Sequence, residues 1–208
     1  MVHPRHWLDF LFPPRVDEVE LRDVSTDDFL TLMAPRLVPE TRPGTVALLP
    51  FNDKRVRAAI HEAKYRGNER AFELLAAALT DYLRDADDVG HRMSYIRLVP
   101  VPLGKERRKE RGFNQAEEIA DRVAEQLGYA IDPTLLKRTR ETASQVSLPR
   151  HAREENMCGA FVATRRADPS HTHIVVDDVI TTGATLQAAI DALREAGAEH
   201  IIPIALAH

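Results

Sequence analysis

The sequence predicts an α/β protein: a mostly parallel sheet flanked by helices, preceded by an N-terminal extension. Three observations predict that outline. Apolar runs of strand length alternate with stretches of helical period from residue 46 to the end of the chain. Parallel strands need helical crossovers, so alternation of this kind gives a sheet covered on both faces. Finally, 208 residues that are 44% apolar and 29% charged suit one globular core.

The elements follow in order. Val46 to Phe51 reads as a buried strand. Asn52 or Asp53 can cap a helix carrying Val56, Ile60 and Ala63, which Gly67 stops. A second helix places Phe72, Leu75, Leu79 and Leu83 on one face. Ile96 to Val101 is a strand ended by prolines. Asn114 caps the next helix, with Glu117 placed as in a capping box, and Gly128 closes it. Phe161 to Ala163 is a short strand and His173 to Val176 a longer one. Thr185 to Ala196 is a helix, and Ile201 to Leu206 the last strand. Residues 45–208 form this domain. Residues 1–44 form the extension, which should pack on the core or on a partner.

Composition excludes several classes. The net charge is −4, so the chain as a whole is no polycation for coating nucleic acid. Residues 1–53 hold five Arg against nine Asp or Glu. Two basic islands, 104–115 and 137–153, make nucleic-acid binding a secondary reading, and few aromatic residues (6%) oppose a stacking platform. A single cysteine, Cys158, excludes a disulfide framework and a cysteine-built zinc site, and it reads as a small buried apolar residue. His171 and His173 read as solvated or capping residues. No apolar run is long enough to span a bilayer, and Asp9 with Pro13-Pro14 interrupts any signal-like stretch, so a cytoplasmic protein is expected. Trp7, Leu8, Phe10, Leu11 and Phe12 are an apolar cluster through which a second copy or a partner protein could dock.

The chemistry concentrates in Ile174-Val175-Val176-Asp177-Asp178-Val179-Ile180-Thr181-Thr182-Gly183-Ala184-Thr185-Leu186. A strand runs into two carboxylates, then a hydroxyl-rich loop with one glycine, then a helix. Unpaired N–H groups at a helix start favour an anion. Thr181, Thr182 and Thr185 add hydroxyl donors, Gly183 permits the positive φ that lets the loop curl around a phosphate, and Ala184 counts with them among the phosphate-binding positions. Asp177 and Asp178 would repel that phosphate but can accept from the hydroxyls of a sugar, and with sugar oxygens can help hold Mg²⁺. The string therefore predicts a site for a ribose 5-phosphate at the C-terminal end of a strand.

This string resembles the 5-phosphoribosyl-1-diphosphate (PRPP) motif of type I phosphoribosyltransferases. Three other stretches resemble one branch, the ComF family of competence-related proteins. They are Lys64-Tyr65-Arg66-Gly67, then Val99-Pro100-Val101-Pro102-Leu103 leading to Arg111-Gly112-Phe113-Asn114-Gln115-Ala116, then Lys137-Arg138-Thr139-Arg140 with Gln145 and Arg150. The resemblance covers about residues 46–206.

The resemblance implies a PRPP-binding, Mg²⁺-dependent pentosyl transferase that displaces pyrophosphate with an unknown acceptor. Its alternative is a non-catalytic protein that binds PRPP or a nucleoside monophosphate and acts in competence and DNA uptake. It implies a pyrophosphate loop over Leu103 to Asn114, using Lys105, Arg111, Asn114 and Gln115, with Arg107, Arg108 and Lys109 solvated. It implies a mobile loop over residues 138–154, with Arg138 and Arg140 at its start. Asp177 and Asp178 would orient the ribose together, so replacing both should abolish binding and leave the melting temperature unchanged. Members of this family commonly carry a four-cysteine zinc module near the N-terminus. Those cysteines do not follow Trp7–Pro14 here, so no zinc is expected.

Overall fold

The structure is a computed structural model and describes residues 16–88, 95–140, 157 and 159–208. The apolar cluster at 7–12, Gln145, Arg150, Cys158 and nearly all of the expected mobile loop lie outside the described residues.

Helices α1 (Val16–Arg22) and α2 (Thr26–Leu30) come first, then strands β1 (Arg36–Val38) and β2 (Thr45–Leu49). The long helices α3 (Lys54–Arg66) and α4 (Glu69–Asp88) follow, then β3 (Ile96–Pro100), α5 (Lys105–Arg111), α6 (Gln115–Leu127) and β4 (Ala130–Ile131). Strands β5 (Leu136–Arg138), β6 (Phe161–Ala163) and β7 (Thr172–Val179), helix α7 (Ala184–Glu195) and β8 (His200–Ala207) complete the order.

The main sheet has the order β1-β2-β8-β7-β3-β4, and β5 pairs with β6 in a separate two-stranded sheet. Only β1 runs antiparallel in the main sheet; the other neighbours are parallel. The mostly parallel sheet read from the alternation is present. β7 lies in the middle, bonded to β3 on one side and β8 on the other.

Period-two alternation gives each strand two different faces. Leu48, Leu98, Ile174, Val176 and Ile204 turn to a core shared with α3, α4 and α6. Ala47, Val99, Val175 and Ala205 turn to a second core built with α7, β5 and β6. Truncating a fully buried side chain such as Leu98 costs about 2–5 kcal/mol. The expected helical faces hold, since Phe72, Leu75, Leu79 and Leu83 are all buried.

Local chemistry sets the helix ends. Asp53 caps α3 by accepting from the Arg55 N–H at 2.8 Å. Gly67 ends α3 in the left-handed region at φ 59, and a Cβ there would stand 3.1 Å from the Phe113 ring. Asn114 caps α6 by accepting from the Ala116 N–H. Glu117 forms no capping box; its carboxylate pairs with Arg108.

Three expectations are corrected. Residues 105–111 are a helix rather than a loop, because Lys, Glu and Arg are strong helix formers and Gly104 and Gly112 bound them. β7 continues to Val179, so the twin carboxylates lie within the strand, where Asp177 is registered against Ala205 and Val179 against Ala207. His173 is not solvated: it is 1% exposed within β7, and burial lowers its pKa. The short elements α1, α2, β1, β4 and β5 carry too few residues to show a period. β1 pairs with β2 across the 44/45 boundary, and the described part of the extension lies against the core. No helix among the described residues is long and apolar enough to cross a membrane.

Candidate functional site

The strands β3, β7 and β8 end on one edge of the sheet, where parallel α/β folds expose helix N-termini and leave room for ligands. After β7 the chain turns through Ile180–Gly183 and enters α7. Gly183 sits at φ 74 as the residue before the helix, and its carbonyl accepts the Gln187 N–H at 2.8 Å. It makes no side-chain cap, so the first N–H groups of α7 keep no side-chain acceptor from it. Thr182 Oγ1 faces the Ala184 N–H at 3.5 Å. A small hollow is lined by Asp177, Thr181, Thr182, Gly183, Ala184 and Thr185. The expected phosphate-loop residues are thus together around one cavity.

Gly183 is required for a second reason. A Cβ would stand 2.9 Å from both Cβ and O of Glu40 and 3.0 Å from Cγ2 of Thr41. The stretch before β2 packs directly on the outside of the loop. Arg42 adds to it by donating its N–H to Gln187 Oε1 at 2.7 Å.

The two carboxylates separate, because neighbours in a strand point to opposite faces. Asp178 turns toward α3 and α6. Its Oδ2 accepts from Lys64 Nζ at 3.1 Å and from Gln115 Nε2 at 2.8 Å, and the residue is 6% exposed. Burial works against the Lys64 charge, yet the charge and hydrogen bond of Asp178 outweigh it and its pKa is raised. Asp177 turns to the other face and lines the hollow. Burial, and next the adjacent Asp178 charge, push its carboxyl up to about 7. The Asp178 N–H donates to it at 2.9 Å, and the Arg138 charge pulls the other way. The two acids are therefore not one clasp: Asp178 is tied to a cation while Asp177 faces the loop.

The motif stretches of the sequence converge here. Arg111 donates to Gln115 Oε1 at 3.0 Å, and its guanidinium lies 4.9 Å from the Tyr65 ring centre. Burial lowers the pKa of Arg111, with Tyr65 and Asp178 opposing. Asn114 donates to the Val101 carbonyl at 3.0 Å, fixing the start of α6 against the end of β3. Lys64, Tyr65 and Gly67 thus touch Asp178, Arg111 and Phe113 in turn.

Other expected residues stand apart. Lys105 is exposed at the start of α5, as are Arg108 and Lys109, whereas Arg107 is half-buried. Arg140 is exposed just beyond β5, whereas Arg138, over the Phe161 ring at 5.5 Å, is near enough for its charge to act on Asp177. Sequence reasoning gave Lys64 and Tyr65 no role at the site. The signal available was their place in a quoted motif, directly before the glycine that ends α3. A much larger hollow of 610 Å³ lies between α6 and β4, but Glu118, Asp121 and Glu125 line it, and a phosphate would be repelled there.

Residues 109–208 match the phosphoribosyl transferase domain family. The chain is 34% identical over 140 residues to the "DNA utilization protein YhgH" of Salmonella typhimurium, covering 67% of this chain and 61% of that one. It is 33% identical over 144 residues to "Competence protein F" of Haemophilus influenzae, covering 68% and 63%. It is 31% identical over 147 residues to "Competence protein ComFC" of Bacillus subtilis, covering 71% and 56%. The chain is a ComF homologue with a phosphoribosyl transferase domain. The matched segments span about six tenths of these relatives' length. The expected resemblance to the ComF family holds.

Proposed function

We propose that this ComF homologue binds PRPP with Mg²⁺ and transfers its phosphoribosyl group to an acceptor, releasing pyrophosphate. The observation that carries the reading is the hollow where Asp177, the Thr181–Thr185 hydroxyls and the start of α7 meet at a strand's C-terminal end. The 5-phosphate would lie in that loop. Arg111 at the end of α5 and Gln115 at the start of α6 are within one hydrogen-bond chain of Asp178 and suit the pyrophosphate side.

The donors fit Mg²⁺ in part. Asp177 and sugar oxygens are hard ligands, but Asp178 already faces the Lys64 ammonium and is a poor choice. Bound Mg²⁺ would neutralise charge on the leaving pyrophosphate. In the reaction the C1–oxygen bond to pyrophosphate breaks and a bond from the acceptor nitrogen to C1 forms, the acceptor's proton passing to solvent. Asp177 would be the carboxyl closest to the ribose, where its ionised form would stabilise the positive charge that develops at C1.

A second reading is non-catalytic binding of PRPP or a nucleoside monophosphate in competence and DNA uptake. The names of the relatives, which point to competence and DNA utilization, favour it. Either role belongs in the cytoplasm, where PRPP is made. A thermal-shift screen with PRPP, ribose 5-phosphate, nucleoside monophosphates and pyrophosphate, with and without Mg²⁺, tests binding. Pyrophosphate release with bases and amines then tests transfer. Stabilisation by Mg²⁺-PRPP with release supports the enzyme, and stabilisation without release supports the second reading. No stabilisation by any of them removes both.

A further inference from the structure

We propose a divalent metal site, outside the PRPP hollow, where α1 meets α3. Asp17 of α1 and His61 and Glu62 of α3 each offer one donor atom, and the three atoms lie within 4.8 Å of one another. They are the one such His/Cys/Asp/Glu grouping among the described residues. The set is one imidazole nitrogen and two carboxylate oxygens, a mixture that suits Zn²⁺, with Mn²⁺ as its nearest competitor.

Three features make this more than a chance meeting of surface groups. Glu62 is 0% exposed, and Asn68 Nδ2 donates to its Oε2 at 3.1 Å, which fixes the direction of the carboxylate. His61 is held on one side by the Tyr65 ring at 4.9 Å and on the other by Asp17, whose Oδ2 lies 2.8 Å from Nδ1. The charges also balance, two carboxylates against one dication. A tetrahedral Zn²⁺ with ligand bonds of about 2.0–2.2 Å needs donors roughly 3.3 Å apart. Asp17 and His61 are both partly exposed and can make the small inward movement, and water completes the fourth position.

The consequence is a clamp. Lys54 and Glu20 already pair between the same two helices at 3.0 Å. A metal would add a second, stronger tie, fastening α1 to the helix that carries Lys64 and Tyr65 within the next turn.

The test is calorimetric titration of the full chain with ZnCl₂ alone, in a buffer free of phosphate, beside His61→Ala and Asp17→Asn. The expected result is one equivalent bound with micromolar or tighter affinity, weakened at least tenfold in each variant, and a melting temperature that zinc raises only in the unaltered chain. Both replaced side chains are partly exposed, so the variants should fold, and unchanged melting temperatures without zinc check this. An anomalous zinc peak among the three residues in a crystal would agree. Absence of binding overturns the site. So does undiminished binding in both variants, which assigns the zinc to other histidines of the nine in the chain.

Discussion

The two faces of β7 carry the same side chain one residue apart and give it opposite surroundings. On the α3–α6 face, Asp178 is enclosed with a cation and an amide donor. On the α7 face, Asp177 is half-buried beside a like charge, and its carboxyl is pushed up to about 7. The difference teaches that a carboxylate pair in a strand is two sites. One acid ties the sheet to the helices beneath the site, and the other is presented to the ligand.

The largest loss of stability should come from Asp178→Asn. It leaves Lys64 enclosed without its counter-charge, and removing one partner of such a pair costs about 3–5 kcal/mol when burial is complete. Lys64 keeps some exposure, so a loss of about 2–3 kcal/mol in urea unfolding is expected. Adding Lys64→Met should recover part of it. A loss below about 0.5 kcal/mol would mean the pair carries no weight and the two faces are alike. The sequence-based expectation that both acids can be replaced at no cost in stability therefore applies only to Asp177.

Next in size is Gly183→Ala, on the Asp177 side. The left-handed φ of 74 and the 2.9 Å approach to Glu40 both oppose a methyl group. A cost of about 1–3 kcal/mol is expected, together with lost stabilisation by Mg²⁺-PRPP. Wild-type melting and binding would show that the loop yields freely.

The one gain in stability is expected for Asp177→Asn. The folded state holds a proton on Asp177 up to about pH 7, whereas the unfolded chain releases it near the ordinary value of 3.8. The folded state then binds more protons between those values, and the stability contributed by this group falls as pH rises from about 4 to 7. The asparagine variant lacks that fall. Its melting temperature should equal that of the unaltered chain near pH 4 and exceed it increasingly up to pH 7, with Mg²⁺-PRPP binding lost throughout. Parallel melting curves across that range would show an ordinary carboxylate at 177.

How much of this was legible in the sequence depended on distance along the chain. The caps at Asp53 and Asn114 and the stops at Gly67 and Gly128 were readable, because each acts on residues within one turn. The loop from Thr181 to Thr185 was readable for the same reason. The fates of Asp177 and Asp178 were not, since they follow from where β7 ends, and its pairing with β8 alone decides that. Lys64 was hidden likewise. Its partner is 114 positions away in number and meets it only once α3 lies under the sheet. The helix at 105–111 was obscured by its charge, which suggested an exposed loop although the same residues favour a helix.

The close seat of Glu40 and Thr41 on Gly183 has a practical outcome. The anion loop is buttressed from outside by chain that precedes every motif residue. A fragment beginning at residue 45 would retain all the chemistry-bearing groups and lose the wall that shapes their cradle. Strain applied to the leading portion of the protein, by a docking partner for instance, would be delivered straight to that cradle.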